Sequence, residues 1–409
     1  MPGAPDMLDS EEAARHLGVK LATLYAYVSR GLLVSHPVPG TRRRRFARED
    51  LDRLAGKHRP SRPDDTRLAT VVTGVTHIDE RGLRYRGRPL SNLVGEYCFE
   101  EVAGLLWSGA GCATPDDTDQ SGAPAWRGVE LSELPGSLAD SDILRVAVVA
   151  AGALDPFRGD QRAPAFLSAS RRLIATVVDT LPVRGGGRPA AELVVHGERR
   201  AGTIAQRLSA ALCTRRASAP VVAAMDVALV TMVDHELATS TLAARVAASA
   251  RADLYGVVLS GMGAMSGRLH AAASNEVRPL LDDARWQGPA EALGRVLRER
   301  PVPTGFGHRL YPAGDPRARS LLASVQRVAP SEQWNVIAEL LAVAADQGVP
   351  PPNVDFALGA LAWAGRMAPG AAETIATVAR MAGWAAHALE EYEEVPLRFR
   401  ARAVYRPDP

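Results

Sequence analysis

Thr304-Gly305-Phe306-Gly307-His308-Arg309-Leu310-Tyr311, followed closely by Asp315-Pro316-Arg317, is the stretch around which the rest of the chain is read. Two glycines flank a phenylalanine and lead into a histidine, so the backbone can take turns or close approaches that a β-carbon forbids. Such a segment can hold one imidazole against a ligand. Arg317 lies nine residues beyond His308, and a planar guanidinium is a natural partner for a carboxylate. The same residues also suit a glycine-rich turn carrying a surface histidine. The flanking chain decides between the two.

The 409 residues are 46% hydrophobic and 5% aromatic, enough for two or three domains and a large core. Basic residues number 48 and acidic residues 46, so no global field points to nucleic acid or membrane. The balance is uneven along the chain. Residues 1–60 hold 11 Lys/Arg against 7 Asp/Glu, and any nucleic-acid partner is expected to meet that end. Cys98, Cys112 and Cys213 are an odd, scattered set without metal spacing, which suits a reducing cytoplasm and no metal site. No apolar run reads as a signal peptide or a membrane span. A mainly helical, cytoplasmic protein is expected.

Residues 1–58 read as a small domain of their own. Asp9 stands three residues before Glu12, a capping-box arrangement that opens a helix with Ala13, Ala14 and Leu17 on one face. Gly18-Val19 supplies the turn, and a second helix runs from about Leu21 to Arg30 before Gly31. Leu32 to Ser35 and Arg45-Phe46 are expected to pair as short strands, with Arg42, Arg43, Arg44 and Arg45 on the wing, and Glu49 to Leu54 to form a third helix. The pattern resembles the winged helix-turn-helix of MerR-like and excisionase-like proteins. On that reading the four arginines meet phosphate, which gives affinity without sequence choice. A docking module with a solvated basic wing is the alternative.

Residues 59–67 read as a Pro-punctuated linker and 68–409 as the main domain. Val75 to Gly87 predicts a β-hairpin, and Cys98 to Leu106 a helix. Residues 108–140 and Gly185-Gly186-Gly187 read as surface loops. From about 203 onward the chain predicts apolar, Ala-rich helices near 220–232, 239–251, 253–265, 288–299, 317–328, 331–347, 354–367 and 371–390. These suit a large all-α core.

Four segments within that region carry chemistry: Val233-Asp234-His235-Glu236, Ser266 to His270, the His308 stretch, and Pro351-Pro352-Asn353-Val354-Asp355-Phe356. Taken singly each has a structural reading, such as a histidine at a helix end or a first-turn carboxylate favoured by the helix dipole. Taken together, and with Ser240-Thr241, Ala244-Arg245-Val246 and Arg380 to His387, they resemble citrate synthases in order and spacing from about residue 68 to 405.

The resemblance implies a mainly α, two-lobed fold with a small lobe about 271–362, preceded by the winged helix-turn-helix domain. It implies a homodimer that condenses an acyl-CoA with an α-keto dicarboxylate, with the CoA thioester as substrate and no cofactor. By resemblance Asp355 is the base that removes the thioester α-proton, His270 donates to the developing enolate oxygen, and His308 polarises the acceptor carbonyl. His235, Arg317, Arg380 and Arg400 match positions that hold the acceptor, Arg400 acting in trans from the partner subunit.

The chain departs from the family pattern at Ala271-Ala272-Ala273-Ser274, where Gly-Gly-Ala-Asn is usual. It departs also at Pro312, at Ala376 in place of phenylalanine, and at Ala401 in place of proline. Three readings of its activity follow, the first expected and the other two its alternatives. They are citrate synthesis from acetyl-CoA and oxaloacetate, 2-methylcitrate synthesis from propionyl-CoA, and DNA-bound regulation by a citrate-synthase-like sensor.

Overall fold

The computed structural model describes most of residues 7–51, then 70–108 apart from 81, then 128, 138–184 and 202–401. The linker, most of the 108–140 excursion, the triple glycine, Arg42 and Arg43 lie outside the described residues. The described N-terminal residues and Val71–Arg400 belong to separate compact units.

In the N-terminal unit, β1 (Met7–Asp9) leads directly into α1 (Ser10–Leu17), followed by α2 (Leu21–Ser29), β2 (His36–Pro37) and β3 (Arg44–Ala47). The capping box is formed. Glu12 N–H donates to the Asp9 carboxylate at 2.9 Å, and Asp9 N–H donates back to Glu12 at 3.0 Å. The strands are antiparallel in the order β1-β3-β2, with Leu8 opposite Phe46 and His36 opposite Arg45. The wing strand therefore lies at His36–Pro37 rather than Leu32–Ser35. Leu33 goes into the core with Ala13, Ala14, Leu24, Phe46 and Leu51 instead. Arg48, Asp50 and Leu51 are helical, and the rest of the expected third helix lies outside the described residues.

The second unit opens with a small antiparallel sheet, β4 (Thr76–Asp79), β5 (Gly82–Tyr85) and β6 (Arg88–Pro89). Helices follow: α3 (Phe99–Ser108), α4 (Asp140–Leu154), α5 (Ala163–Thr180), α6 (Ile204–Leu212), α7 (Ala219–Met232), α8 (Thr239–Ser249) and α9 (Leu254–Met265). A 3₁₀ turn over Ala271–Glu276 runs into α10 (Val277–Gln287), then α11 (Pro289–Glu299), α12 (Pro316–Val328), α13 (Ser331–Asp346), α14 (Val354–Ala364) and α15 (Ala371–Tyr392).

Helix α15 is buried along nearly its whole length and packs against α3, α5, α7, α8, α9 and the 3₁₀ turn. Its run of alanines allows neighbouring backbones to approach from every side. The replaced glycines of 271–274 sit in the 3₁₀ turn. There Ala271 and Ser274 are buried, and Ser274 Oγ donates to Ala271 O at 2.6 Å. None of Ala271, Ala272 or Ala273 takes a positive φ, so the turn does not require glycine.

Candidate active site

The central motif is built by backbone pairing. Gly305 and Gly307 take φ of +89° and +69°, conformations that glycine enters without strain. They let the segment lie antiparallel to the lead-in of α14. Gly307 N–H donates to Pro351 O at 2.8 Å, and Asn353 N–H donates to Gly305 O at 2.9 Å. The Asn353 side chain completes the joint from both ends. Its Nδ2 donates to Gly307 O at 2.8 Å, while its Oδ1 accepts from Asp355 N–H at 2.9 Å and so caps α14.

Asp315 makes a second joint. It caps α12 through Arg317 N–H at 3.0 Å and holds the Arg317 guanidinium in two hydrogen bonds, of 3.0 and 2.8 Å. It also accepts from Val354 N–H at 3.0 Å. Burial works to raise the pKa of this carboxyl, but Arg317 outweighs burial and holds it below the usual range.

The side chains that face this plate form one group. His235 Nε2 lies 3.1 Å from Tyr311 Oη, and its ring meets that of His308 edge to face at 5.2 Å. His270 Nε2 lies 3.0 Å from Ser240 Oγ. Arg317 and Arg380 both act electrostatically on His235, His270 and Asp355, and Arg317 acts on His308. Burial, reinforced by those cations, pushes the His270 imidazolium pKa down to about 4 and that of His235 well below the ordinary value. His308 is lowered by burial and Arg317. All three rings are therefore neutral at pH 7.

Asp355 moves the other way. Burial raises its pKa to about 6, Arg317 opposes the rise and Asp315 adds to it.

Two sets of donors are left without an acceptor among the described residues. Leu310 N–H donates to His308 Nδ1 at 3.1 Å, so the neutral ring carries its proton on Nε2. That Nε2–H and an Arg317 Nη2–H stand 3.4 Å apart, two donors that cannot serve each other but can share one oxygen. Arg380 donates through Nε to Met232 O at 2.9 Å, and its buried Nη1 has no partner among the described residues.

Next to this group runs a buried relay. Asp234 accepts from Thr76 Oγ1 at 2.5 Å and from His387 Nε2 at 3.3 Å. Arg245 Nε–H donates to His387 Nδ1 at 2.9 Å, which fixes the His387 proton on Nε2. Arg245, fully buried, also pairs with Glu390 and with Glu391, the latter at 2.9 Å. Arg398 donates to Glu391 twice at 2.7 Å. Burial works to raise the Asp234 pKa, but His387, Arg380 and the Thr76 hydroxyl outweigh it and leave it lowered.

The relay depends on a close approach. A β-carbon at Gly383 would sit 2.5 Å from both Asp234 Oδ1 and Val233 O. Gly383→Ala is expected to cost about 1–3 kcal/mol, as overpacking does. Chemical denaturation reads it, and an unshifted midpoint would show that the neighbours relax freely.

Six of the seven cleft residues singled out by sequence, His235, His270, His308, Arg317, Asp355 and Arg380, are thus gathered together. Arg400 is exposed and is not among the side chains acting on them. Arg44 and Arg45 are exposed on β3, and Arg44 Nη1 donates to Ser35 Oγ at 2.6 Å. Among the described residues no cluster of His, Cys, Asp and Glu could hold a metal. Sequence reasoning gave no role to Asp234, Arg245, His387 or Glu391. The signal available was the polar stripe of Arg380, His387 and Glu391, two turns and then one turn apart on an otherwise alanine-rich helix.

Comparison with known proteins identifies both units. Residues 7–59 match the family described as a helix-turn-helix domain. A 2-methylcitrate synthase of Mycobacterium tuberculosis is 30% identical over 358 residues, covering 81% of this chain and 88% of that protein. Citrate synthase 2 of Bacillus subtilis is 28% identical over 358 residues, covering 83% and 94%. The fold is shared with citrate synthase from Thermoplasma acidophilum, solved in ternary complex with carboxymethyl coenzyme A and oxaloacetate. The TM-score is 0.66 and the identity 21%, over 83% of this chain and 94% of that one. Residues 66–408 match the family described as citrate synthase, C-terminal domain, and the chain belongs to the citrate synthase family of condensing enzymes.

Proposed function

We propose that this chain condenses acetyl-CoA with oxaloacetate to give citrate and free CoA, and that the six gathered residues carry the reaction. The observation that supports it best is the pair of donors on His308 and Arg317 that converge where one oxygen can accept from both. A keto oxygen placed there is polarised by both. The neutral imidazole and the cation stabilise charge as it builds on that oxygen.

The unpartnered Nη1 of Arg380 and the Arg317 guanidinium suit the two carboxylates of a dianion, fixing which carbon faces the incoming acyl group. Asp355 then takes the α-proton of the thioester. His270, held through Nε2 at Ser240, presents its other nitrogen to the enolate oxygen. The new carbon–carbon bond forms between the thioester α-carbon and the keto carbon, and water then releases CoA from the thioester. Arg400 of a partner subunit is proposed to complete the acceptor clamp in a homodimer.

The acyl group is the finer question. Ala376 is fully buried on α15, and we propose that a small side chain at this position favours an acyl group longer by one methylene, worth only about 1–3 kcal/mol of discrimination. Thiol release with oxaloacetate and either acetyl-CoA or propionyl-CoA tests both levels. A higher kcat/KM with propionyl-CoA replaces citrate by 2-methylcitrate as the product. No release with either overturns the catalytic reading in favour of a sensor.

A second reading concerns the N-terminal unit. Its helix-turn-helix and the exposed Arg44 and Arg45 suit DNA, with a two-fold dimer presenting two heads to a palindromic site. Changing Arg42, Arg43, Arg44 and Arg45 to glutamine is expected to weaken DNA binding and to flatten its salt dependence. The log–log slope should fall by roughly 0.9 for each phosphate that the wing no longer neutralises. Filter binding across a salt series checks this, and an unchanged slope removes the wing from the interface.

A further inference from the structure

His270 and His308 stand on separate segments, and one carboxylate joins those segments. His270 leads into the 3₁₀ turn over Ala271–Glu276, where Ala273 N–H donates to His270 O at 2.9 Å. Thr304 leads into the plate that carries His308, next to Gly305, whose carbonyl accepts from Asn353 N–H at 2.9 Å. Glu276 closes the turn and Thr304 opens the plate. Their side chains meet across 28 residues of sequence, Thr304 Oγ1 donating to Glu276 Oε2 at 2.7 Å.

Arg300, at the C-terminal end of α11, closes a triangle. Its Nη1 donates to the same Glu276 oxygen at 2.9 Å and to Thr304 Oγ1 at 2.6 Å. The Thr304 hydroxyl, with Arg300 and Arg268 adding to it, outweighs burial and holds the Glu276 pKa below the usual carboxylate range. Glu276 stands at the start of α10, where an acidic side chain can meet the free N–H groups of the first turn. It makes no such cap and reaches across to Thr304 instead. Val277 also packs between the segments, since a β-carbon at Gly305 would lie 3.0 Å from its Cγ2. That contact is apolar and sets no direction, whereas the Glu276 bond does.

We infer that Glu276 is a positioning residue for the condensation, tying the His270 turn to the His308 plate through Thr304. This rests on the reaction proposed above, in which the two imidazoles act on different substrates at one forming bond and must keep their register. The acceptor carboxylates are assigned to Arg317 and Arg380, which lie outside the triangle.

Thiol release with acetyl-CoA and oxaloacetate, together with hydrogen exchange on the same full-length proteins, tests the role. Glu276→Ala and Thr304→Val are each expected to lower kcat roughly tenfold, as small misplacements do, with KM for oxaloacetate unchanged. The double variant should fall no further, because both changes remove one bond. Glu276→Gln keeps an acceptor oxygen for Thr304 and Arg300 and is expected to restore most of the rate. Peptides covering 271–276 and 304–308 should exchange faster in Glu276→Ala and at the wild-type rate in Glu276→Gln. Wild-type kcat in Glu276→Ala overturns the positioning role. So do losses that multiply in the double variant, or a glutamine variant as slow as the alanine one. A wild type that releases no thiol overturns the condensation reading, and exchange then decides the tie by itself: unchanged exchange in Glu276→Ala removes it.

Discussion

Asp355→Asn is expected to lower the rate of thiol release by roughly 10²- to 10⁴-fold, the range that a positioned base supplies, and at the same time to make the folded protein more stable. Both effects follow from one environment. Burial raises the Asp355 pKa from 3.8 to about 6, bringing it closer to that of the α-proton it is proposed to accept. The sign of the stability effect follows from linkage. A carboxyl with a raised folded pKa binds its proton more tightly when folded, so below both pKa values it costs nothing. Its destabilisation grows as pH rises from the unfolded value and is complete above about 6.

Asparagine removes that charge, and at pH 7.5 the gain is about 1–3 kcal/mol after allowing for the partial exposure of the side chain. Strongly slowed thiol release together with a raised denaturation midpoint is the expected pair of results. A wild-type kcat/KM profile should fall on the acid side near pH 6, as the base becomes protonated. Full activity in the asparagine variant would remove Asp355 from the mechanism.

Arg245→Met is expected to destabilise the protein by about 3–5 kcal/mol, the cost of breaking a buried ion pair from one side. Arg245 and Glu391 are both fully buried, and the guanidinium also serves Glu390 and His387. Arg398 continues to hold Glu391, and Thr73, Gly74 and Arg86 continue to hold Glu390. These partners place the expected value toward the lower end of the range. His387 is deprived of the donor that fixes its tautomer, so its hydrogen bond to Asp234 is no longer enforced. The position of His235, the next residue, follows. Urea denaturation measures the change in stability. A lower kcat in the folded variant under stabilising conditions would read the loosened relay, and unchanged kcat would confine Arg245 to stability.

Helices from Thr239 onward are legible in the sequence because alanine-rich apolar runs end at Gly, Pro, Asp or Asn. The Asp9–Glu12 box marks α1 from side-chain chemistry alone. The His308 plate is legible for a similar reason: its glycines, Asp315 and Asn353 act on atoms a few residues away or through a motif whose residue types suit one geometry. Helix α10 is less so, since Pro279 and the charged Asp282-Asp283 interrupt its pattern. The relay is hidden because its partners are distant in the chain: Arg245 meets His387 across 142 residues and Thr76 meets Asp234 across 158. Nothing local in the sequence pairs them. The short strand β1 escapes notice because three residues carry no alternation to read.

Asp315 grips Arg317 with one hand and the backbone at Val354 with the other. The guanidinium and the neighbouring Asp355 therefore keep a constant separation, as if cast in one piece. Spreading them apart would rupture a buried ionic joint, so the two groups can move only as a unit.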